Sequence, residues 1–184
     1  MTRPLGPEER RQLLSVAREA IAALLQGRPP AQPALAPPLR ERGGAFVTLT
    51  GRSDGELRGC IGYVEAVRPL AEAVAEAARL AATEDHRFAP VTAAELPGLR
   101  IEISVLTPLA PTRPQDVAVG SHGLMIRHAG RSGLLLPQVA VEHAWDRETF
   151  LDQTCRKAGL PPGTWKQADA DLLSFTATVF GEDE

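Results

Sequence analysis

The residues of this chain with the clearest chemical potential lie in one short stretch, Leu57–Gly62, which reads LRGCIG. A thiol, a fixed cation and two glycines stand together there. In an extended strand, side chains alternate between faces, so Arg58 and Cys60 point the same way. A guanidinium close to a thiol favours the thiolate, which is the nucleophilic form of cysteine. We therefore predict Cys60 as a catalytic nucleophile and Arg58 as the residue that activates it.

The two glycines of this stretch leave space on either side of the sulfur. Without side chains at Gly59 and Gly62, another segment of backbone or a ligand can approach closely. We predict both glycines as ligand-binding positions. A structural interpretation is also open, in which Cys60 is a small buried side chain and Arg58 lies on the surface of a hairpin.

Two polar residues further along the chain complete the predicted site. Residues 99–106 alternate between apolar and polar, and Glu102 stands in the middle of the polar face. A carboxylate there requires water or a partner charge. We predict that Glu102 faces the same side as Arg58 and Cys60 and acts as an acid or base, the alternative being a solvated outer face. Gln138, after a predicted strand, is predicted to line the ligand site.

Three other reactive side chains have competing interpretations. Asp85 and His86 follow a predicted helix and are either an acid–base pair or residues of a cap or turn. Cys155 falls on the inward face of a predicted helix and is expected to be core. No disulfide between Cys60 and Cys155 is expected, because the chain is predicted to be cytoplasmic, where thiols stay reduced.

The elements that must position these residues are mostly regular. A helix is expected to begin at Pro7 and to end at Gly27, and the proline-rich segment, residues 28–40, is expected to be a connector. Residues 45–50 and 57–62 form a hairpin around Asp54-Gly55. The other predicted elements are a helix from Pro69, a strand at 99–106, a hairpin of 123–128 and 132–136 followed by a loop, a helix capped by Asp146 and ending at Ala158, and one strand at 173–180.

Composition and missing motifs exclude several classes of protein. The chain has 184 residues, of which 43% are apolar, enough for one well-buried domain. A net charge of −3 and only 4% aromatic residues disfavour nucleic-acid binding. No apolar run is long enough to span a bilayer, so no membrane association is expected. The four histidines lack metal-ligand spacing and no nucleotide-binding motif is present, so neither a metal nor another cofactor is predicted.

Five blocks of the sequence resemble the AMMECR family, whose prokaryotic members are called AmmeMemoRadiSam system protein A. The resemblance extends over residues 8–181 and implies a single domain of two lobes. It also implies an α+β fold, in which helices flank an antiparallel sheet and a cleft lies beside the LRGCIG strand, between the larger lobe and a smaller second lobe. The system name implies a Memo-like protein and a radical SAM protein as partners. The blocks are AFVTL (45–49), LRGCIG (57–62), IEISVL (101–106), GLLLPQVA (133–140) and KAGLPPGTW (157–165).

The sequence and the resemblance leave two functions open. In the first, the chain is an enzyme that uses Cys60 as a thiolate nucleophile on a small molecule or a modified macromolecule. In the second, it is a non-catalytic adaptor that docks a partner protein or a peptide in the LRGCIG cleft. A thiol beside a cation favours the enzyme, because a docking surface does not require that chemistry.

Overall fold

Two antiparallel sheets, one in each of two structural units, organise the chain in a computed structural model. The structure describes residues 4–31 and 33–182. The α-helices are α1 (Pro7–Leu25), α2 (Leu70–Thr83), α3 (Pro137–Glu142) and α4 (Arg147–Lys157). The strands are β1 (Gly44–Gly51), β2 (Leu57–Tyr63), β3 (Leu99–Leu106), β4 (Ala110–Pro111), β5 (Gly123–His128), β6 (Arg131–Leu135), β7 (Asp171–Phe175) and β8 (Ala177–Gly181).

The second unit is inserted into the first. The first unit runs up to Leu106 and resumes at Thr178, and the second consists of Thr107–Ala177. Each unit has a four-stranded sheet, with the order β2-β1-β3-β8 in the first and β4-β7-β5-β6 in the second. The predicted α+β class is therefore confirmed.

The first sheet is built around β1, which pairs with both β2 and β3 in antiparallel register. Alternate residues of β1 and β3, including Val47, Leu49, Ile101 and Ile103, are completely buried. Burying a side chain of this size stabilises the fold by about 1.5–3 kcal/mol. The hairpin predicted at Asp54-Gly55 is confirmed. The alternation predicted for residues 99–106 holds from Leu99 to Ile103, beyond which Ser104 is buried and Val105 is half-buried.

Helices α1 and α2 cover the apolar face of this sheet. Helix α1 begins at Pro7, as predicted, and the Glu9 carboxylate accepts a 2.7 Å hydrogen bond from the Gly6 N–H. Pro69 forms the N-cap of α2. The inward face of α2 is rich in alanine, so its main chain approaches the sheet closely. The buried residues that α1 and α2 contribute include Leu13, Ala17, Ile21, Val74, Ala77 and Ala78.

Main-chain N–H groups of the proline-rich segment donate hydrogen bonds to side chains of α1. The N–H of Ala31 donates to Glu19 Oε1 at 2.9 Å, and the N–H of Ala36 donates to Gln12 Oε1 at 3.1 Å. Between them lies Gln32, which is outside the described residues. These contacts hold a segment with few main-chain donors of its own along the helix.

The second unit packs α4 against its own sheet. Asp146 caps α4 by accepting a 2.8 Å hydrogen bond from the N–H of Thr149, as predicted. Phe150, Leu151 and Cys155 are buried on the inward face of α4, which confirms Cys155 as a core residue. Burial raises the pKa of the Cys155 thiol, so this cysteine is expected to be unreactive.

Two predictions about the second unit are wrong. Residues 173–180 do not form one strand, because β7 joins the second sheet and β8 the first, with a break at Thr176. Alternation continues through that break, so the pattern hides the change of sheet. The loop expected after β6 contains the short helix α3, which begins with Pro137 at a position that proline favours.

Candidate cysteine site

Cys60 lies on β2, an edge strand, in a row that crosses the first sheet. It stands opposite Thr48 of β1, and Thr48 stands opposite Glu102 of β3. Directly paired residues point to the same face, so the three side chains share the face turned away from α1 and α2. Since neighbouring strands lie about 4.8 Å apart, the Cα atoms of Cys60 and Glu102 are separated by about 10 Å. All three side chains are half-buried.

The Thr48 hydroxyl is in contact with the Cys60 sulfur. Thr48 Oγ1 lies 3.3 Å from Sγ and donates a hydrogen bond to it. A donor at this position stabilises a thiolate more than a thiol, because hydrogen bonds to ionised acceptors are the stronger ones. Thr48 was not predicted as a site residue. The alternation of β1 places it on the polar face, but only the register brings it opposite Cys60.

An ion pair between the buried carboxylate of Asp85 and the exposed guanidinium of Arg87 lies at the open edge of β2. The main-chain N–H of Cys60 donates to Asp85 Oδ2 at 2.9 Å. Arg87 binds the same carboxylate with two side-chain hydrogen bonds, of 2.9 Å from Nε and 2.7 Å from the terminal guanidinium nitrogen. These bonds from Arg87, helped by the N–H groups of Cys60 and Arg87, hold the pKa of Asp85 well below its usual range. Asp85 is therefore ionised, and it fixes the guanidinium beside β2.

The Asp85 carboxylate joins the main chain of Cys60 to the Arg87 guanidinium, which places a positive charge near this cysteine. The pKa of Arg87 is raised, first by its hydrogen bond to Asp85 and to a smaller extent by the charges of Asp85 and of a Cys60 thiolate. The Arg87 side chain is 57% exposed, so water screens part of that attraction. Arg87 was not singled out from the sequence, because it stands in an irregular segment without a pattern.

Arg58, which was predicted to activate Cys60, binds a different set of groups. Its guanidinium donates to the carbonyl oxygens of Ala89 and Pro90 at 2.6 and 3.4 Å, and to Glu95 Oε1 at 3.1 and 3.2 Å. Arg58 therefore fastens the segment that follows α2 onto the edge strand. That segment includes Asp85 and Arg87, so Arg58 can act on the thiol through their placement.

Protein atoms occupy the space beside the two predicted ligand-binding glycines. A Cβ added to Gly59 would lie 2.1 Å from the carbonyl oxygen of Ala81 in α2. A Cβ added to Gly62 would lie 2.3 Å from the ring of Phe46 and 2.4 Å from the carbonyl oxygen of Ala45. Of the two occupants considered for this space, a neighbouring segment of the protein is the one observed.

The remaining predicted residues lie outside the row. Gln138 belongs to the second unit, where it is half-buried in the first turn of α3. Of the pair Asp85 and His86, the carboxylate makes the contacts described above, and the imidazole is exposed. The structure therefore brings together Cys60 and Glu102 from the predicted set, and adds Thr48.

The described part of the chain contains neither a metal-binding cluster nor a helix that could span a membrane. Among residues 4–31 and 33–182, no three His, Cys, Asp or Glu side chains are grouped so that they could hold a metal ion. In the same ranges, no helix combines the length and the apolar character needed to cross a membrane. Both cysteines are free thiols.

The fold and the site define a class of protein: an α+β chain of two units that carries a half-buried cysteine on an edge strand. The chain belongs to the AMMECR1 family, whose sequence model matches residues 14–180. The resemblance noted from the sequence blocks is thereby confirmed. The matching family model names no reaction.

Archaeal relatives are similar over almost their whole length. Protein MK0488 of Methanopyrus kandleri is 44% identical over 100% of this chain and 93% of its own. Protein PF1979 of Pyrococcus furiosus is 43% identical over 93% of this chain and 87% of its own. The crystal structure of the uncharacterized protein PH0010 from Pyrococcus horikoshii matches with a TM-score of 0.89 and 40% identity, covering 97% of this chain and 94% of that one.

Proposed function

We propose that this AMMECR1-family protein is a cysteine-dependent enzyme of the cytoplasm, with Cys60 as its nucleophile. The observation that carries the proposal is the 3.3 Å contact between Thr48 Oγ1 and Cys60 Sγ, within a row that ends at Glu102. A half-buried thiol with its own hydrogen-bond donor has the access and the stabilisation that a reactive thiolate requires.

Two groups support the thiolate in this proposal. The hydroxyl of Thr48 donates to the sulfur, and the guanidinium of Arg87 provides positive charge nearby. Asp85 holds Arg87 in place but carries a negative charge itself, so the direct hydrogen bond from Thr48 is the larger of the two supports. Arg58 has a positioning role, through the segment of residues 89–95.

The row also suggests how a reaction would proceed. The sulfur donates an electron pair to an electrophilic carbon of the substrate, and the leaving group departs with the electrons of its former bond. Glu102, at the other end of the row, is the proposed acid for the leaving group, which takes up one proton as it departs. A substrate lying over Thr48 would extend across about 10 Å from sulfur to carboxylate strand, a length typical of a small molecule.

The proposed substrate is a small molecule or a modified macromolecule. The resemblance to the AmmeMemoRadiSam system adds a Memo-like protein and a radical SAM protein as proposed partners. A radical SAM partner would install the modification, and Cys60 would act on the modified group. Co-purification of the three proteins, with and without Cys60→Ser, tests whether they associate and whether the thiol is required.

Alkylation of the native protein tests the nucleophile. We expect iodoacetamide to modify Cys60 at neutral pH and to leave buried Cys155 unmodified, as measured by peptide mass spectrometry. Thr48→Val should slow the modification of Cys60 about tenfold, which is the effect of losing one hydrogen bond to a charged sulfur. Thr50→Val is the matched control, because Thr50 lies two residues further along β1 and makes no hydrogen bond to the sulfur.

Three further variants distinguish a residue that increases the reactivity of Cys60 from one that only packs near it. Arg87→Gln should slow alkylation several-fold, and Arg58→Ala should do so only to the extent that it releases the segment carrying Arg87. Cys60→Ser should abolish the modification. If Cys60 reacts only after unfolding in urea, the nucleophile proposal fails.

A docking module is the second candidate function. It is favoured by the way protein atoms fill the space beside Gly59 and Gly62, where a ligand was predicted. A docking module predicts that Cys60→Ser retains binding to a partner protein. An enzyme predicts that the same variant retains the fold and loses the covalent adduct.

A further inference from the structure

A cavity on the helical side of the first unit has the features of a small-molecule site. It has a volume of about 640 Å³ and lies between α1, α2 and the proline-rich segment. Sites for small ligands occupy about 300–1,000 Å³. Since α1 and α2 cover the sheet face opposite to the row of Cys60, this cavity is separate from the candidate cysteine site. Its apolar lining includes Val16, Ala20, Pro30, Leu35, Ala71 and Ala75.

Three charged residues also line the cavity, and one of them, Glu19, already forms an ion pair within the protein. Glu19 accepts hydrogen bonds from Arg28, at 2.5 Å, and from the N–H of Ala31, at 2.9 Å. The Arg28 contact, followed by that of Ala31, lowers the pKa of Glu19 to about 2. Glu19 is therefore ionised, paired with Arg28, and engaged in holding the proline-rich segment.

The other two charged residues of the lining, Arg40 and Glu72, are opposite in sign. Both line the cavity and both are exposed at its mouth. Within residues 4–31 and 33–182, neither side chain makes a hydrogen bond or an ion pair, with the other or with any third residue. The largely apolar lining of this cavity thus includes a cation and an anion whose side chains have no partner in the described part of the chain.

Main-chain contacts join the two segments that carry these charges. The N–H of Leu70, at the start of α2, donates to the carbonyl oxygen of Glu41 at 2.8 Å. Arg42 and Pro69 form an isolated antiparallel bridge. The end of the proline-rich segment is therefore bound to the first turn of α2, which carries Glu72.

We propose that this cavity binds an apolar α-amino acid. Its carboxylate would pair with Arg40, whose planar guanidinium matches a carboxylate with two parallel hydrogen bonds. Its ammonium would pair with Glu72, and its side chain would fill the apolar interior. A simple carboxylic acid would be repelled by Glu72, and a simple amine by Arg40. A zwitterion is the ligand that satisfies both charges.

Isothermal titration calorimetry on the full chain tests the proposal with three probes. They are L-phenylalanine, phenethylamine, which lacks the carboxylate, and 3-phenylpropionate, which lacks the ammonium. We expect phenylalanine to bind and each analogue to bind about tenfold more weakly, the effect of about one unsatisfied charged hydrogen bond.

Variants assign each charge to its partner. Arg40→Gln should lower the affinity for phenylalanine to that of the wild type for phenethylamine. Glu72→Gln should lower it to the affinity of the wild type for 3-phenylpropionate. Glu76→Gln, one turn further along α2 and outside the cavity, is the matched control and should change nothing. Ala75→Leu should reduce the binding of all three probes by filling the interior. Cys60→Ser should bind phenylalanine like the wild type, so this test is independent of the cysteine site.

Two results would overturn the proposal. If none of the probes binds at millimolar concentration, the cavity is not an amino-acid site. If both analogues bind as tightly as phenylalanine, the cavity recognises the aromatic group alone and the charges play no part.

Discussion

Replacing Gly59 by alanine is expected to lower the free energy of unfolding by about 3 kcal/mol, the upper part of the range for overpacking a well-packed contact. The new Cβ would lie 2.1 Å from the carbonyl oxygen of Ala81 and 3.0 Å from its carbonyl carbon. Both are main-chain atoms of α2, so no side chain can rotate out of the way. The strand and the helix would have to separate, and the core between them would loosen.

Urea denaturation followed by circular dichroism measures this effect. Gly98→Ala is the matched control, because a Cβ at Gly98 would meet nothing within 4 Å. We expect the control to lie within about 1 kcal/mol of the wild type. A Gly59→Ala variant as stable as the control would show that α2 does not pack on β2 as closely as described.

Replacing Asp85 by asparagine is expected to lower the free energy of unfolding by about 2 kcal/mol at neutral pH. The substitution weakens the hydrogen bonds from Arg87 and from the N–H of Cys60 to a carboxylate that is only 7% exposed. Breaking a fully buried ion pair costs about 3–5 kcal/mol. The expected value is smaller because the Arg87 side chain is 57% exposed and regains hydration.

The loss of stability caused by Asp85→Asn should become smaller as the pH falls. The pKa of Asp85 is lower in the folded state than in the unfolded chain, where aspartate titrates near about 3.9. Its stabilisation is therefore complete above that value and is lost as pH falls towards the folded-state pKa. The difference in unfolding free energy between wild type and variant should shrink when denaturation is repeated at pH 7, 5 and 3.

An exposed ion pair gives the control for this pH series. Asp116 pairs with Arg113 on the surface, with side chains that are 48% and 72% exposed. Asp116→Asn should change stability by less than about 1 kcal/mol at every pH. A difference for Asp85→Asn that stays constant down to pH 3 would contradict the assignment of an ionised, stabilising carboxylate.

Patterns that are local in sequence predicted most of the first unit. Pro7 and Pro69 mark the starts of α1 and α2, and Asp54-Gly55 marks the turn between β1 and β2. Alternation alone placed Cys60 and Glu102 on polar faces. Such signals depend on residues that are neighbours in the chain. They predict the structure correctly because the elements that they specify are long and regular.

Features that depend on distant parts of the chain were not predictable. The contact between Thr48 and Cys60 requires the register of β1 with β2, which the turn allows but does not show. Arg87 belongs to an irregular segment. The path of that segment is set by the hydrogen bonds of Asp85 and by those that Arg58 donates to residues 89–95. The sequence indicated that Arg58 and Cys60 share a strand face, but a long side chain can bind groups beyond its own strand.

The insertion of the second unit has a consequence for how the gene can change. The chain leaves the first unit at Leu106 and returns to it at Thr178, on strands that are neighbours in the same sheet. Just beyond, the N–H of Thr107 donates to the carbonyl oxygen of Thr176 at 2.9 Å. Entry and exit therefore coincide, as at sites where proteins accept whole inserted domains. At such a junction, recombination can exchange residues 107–177 as a cassette while the sheet that carries Cys60 stays intact.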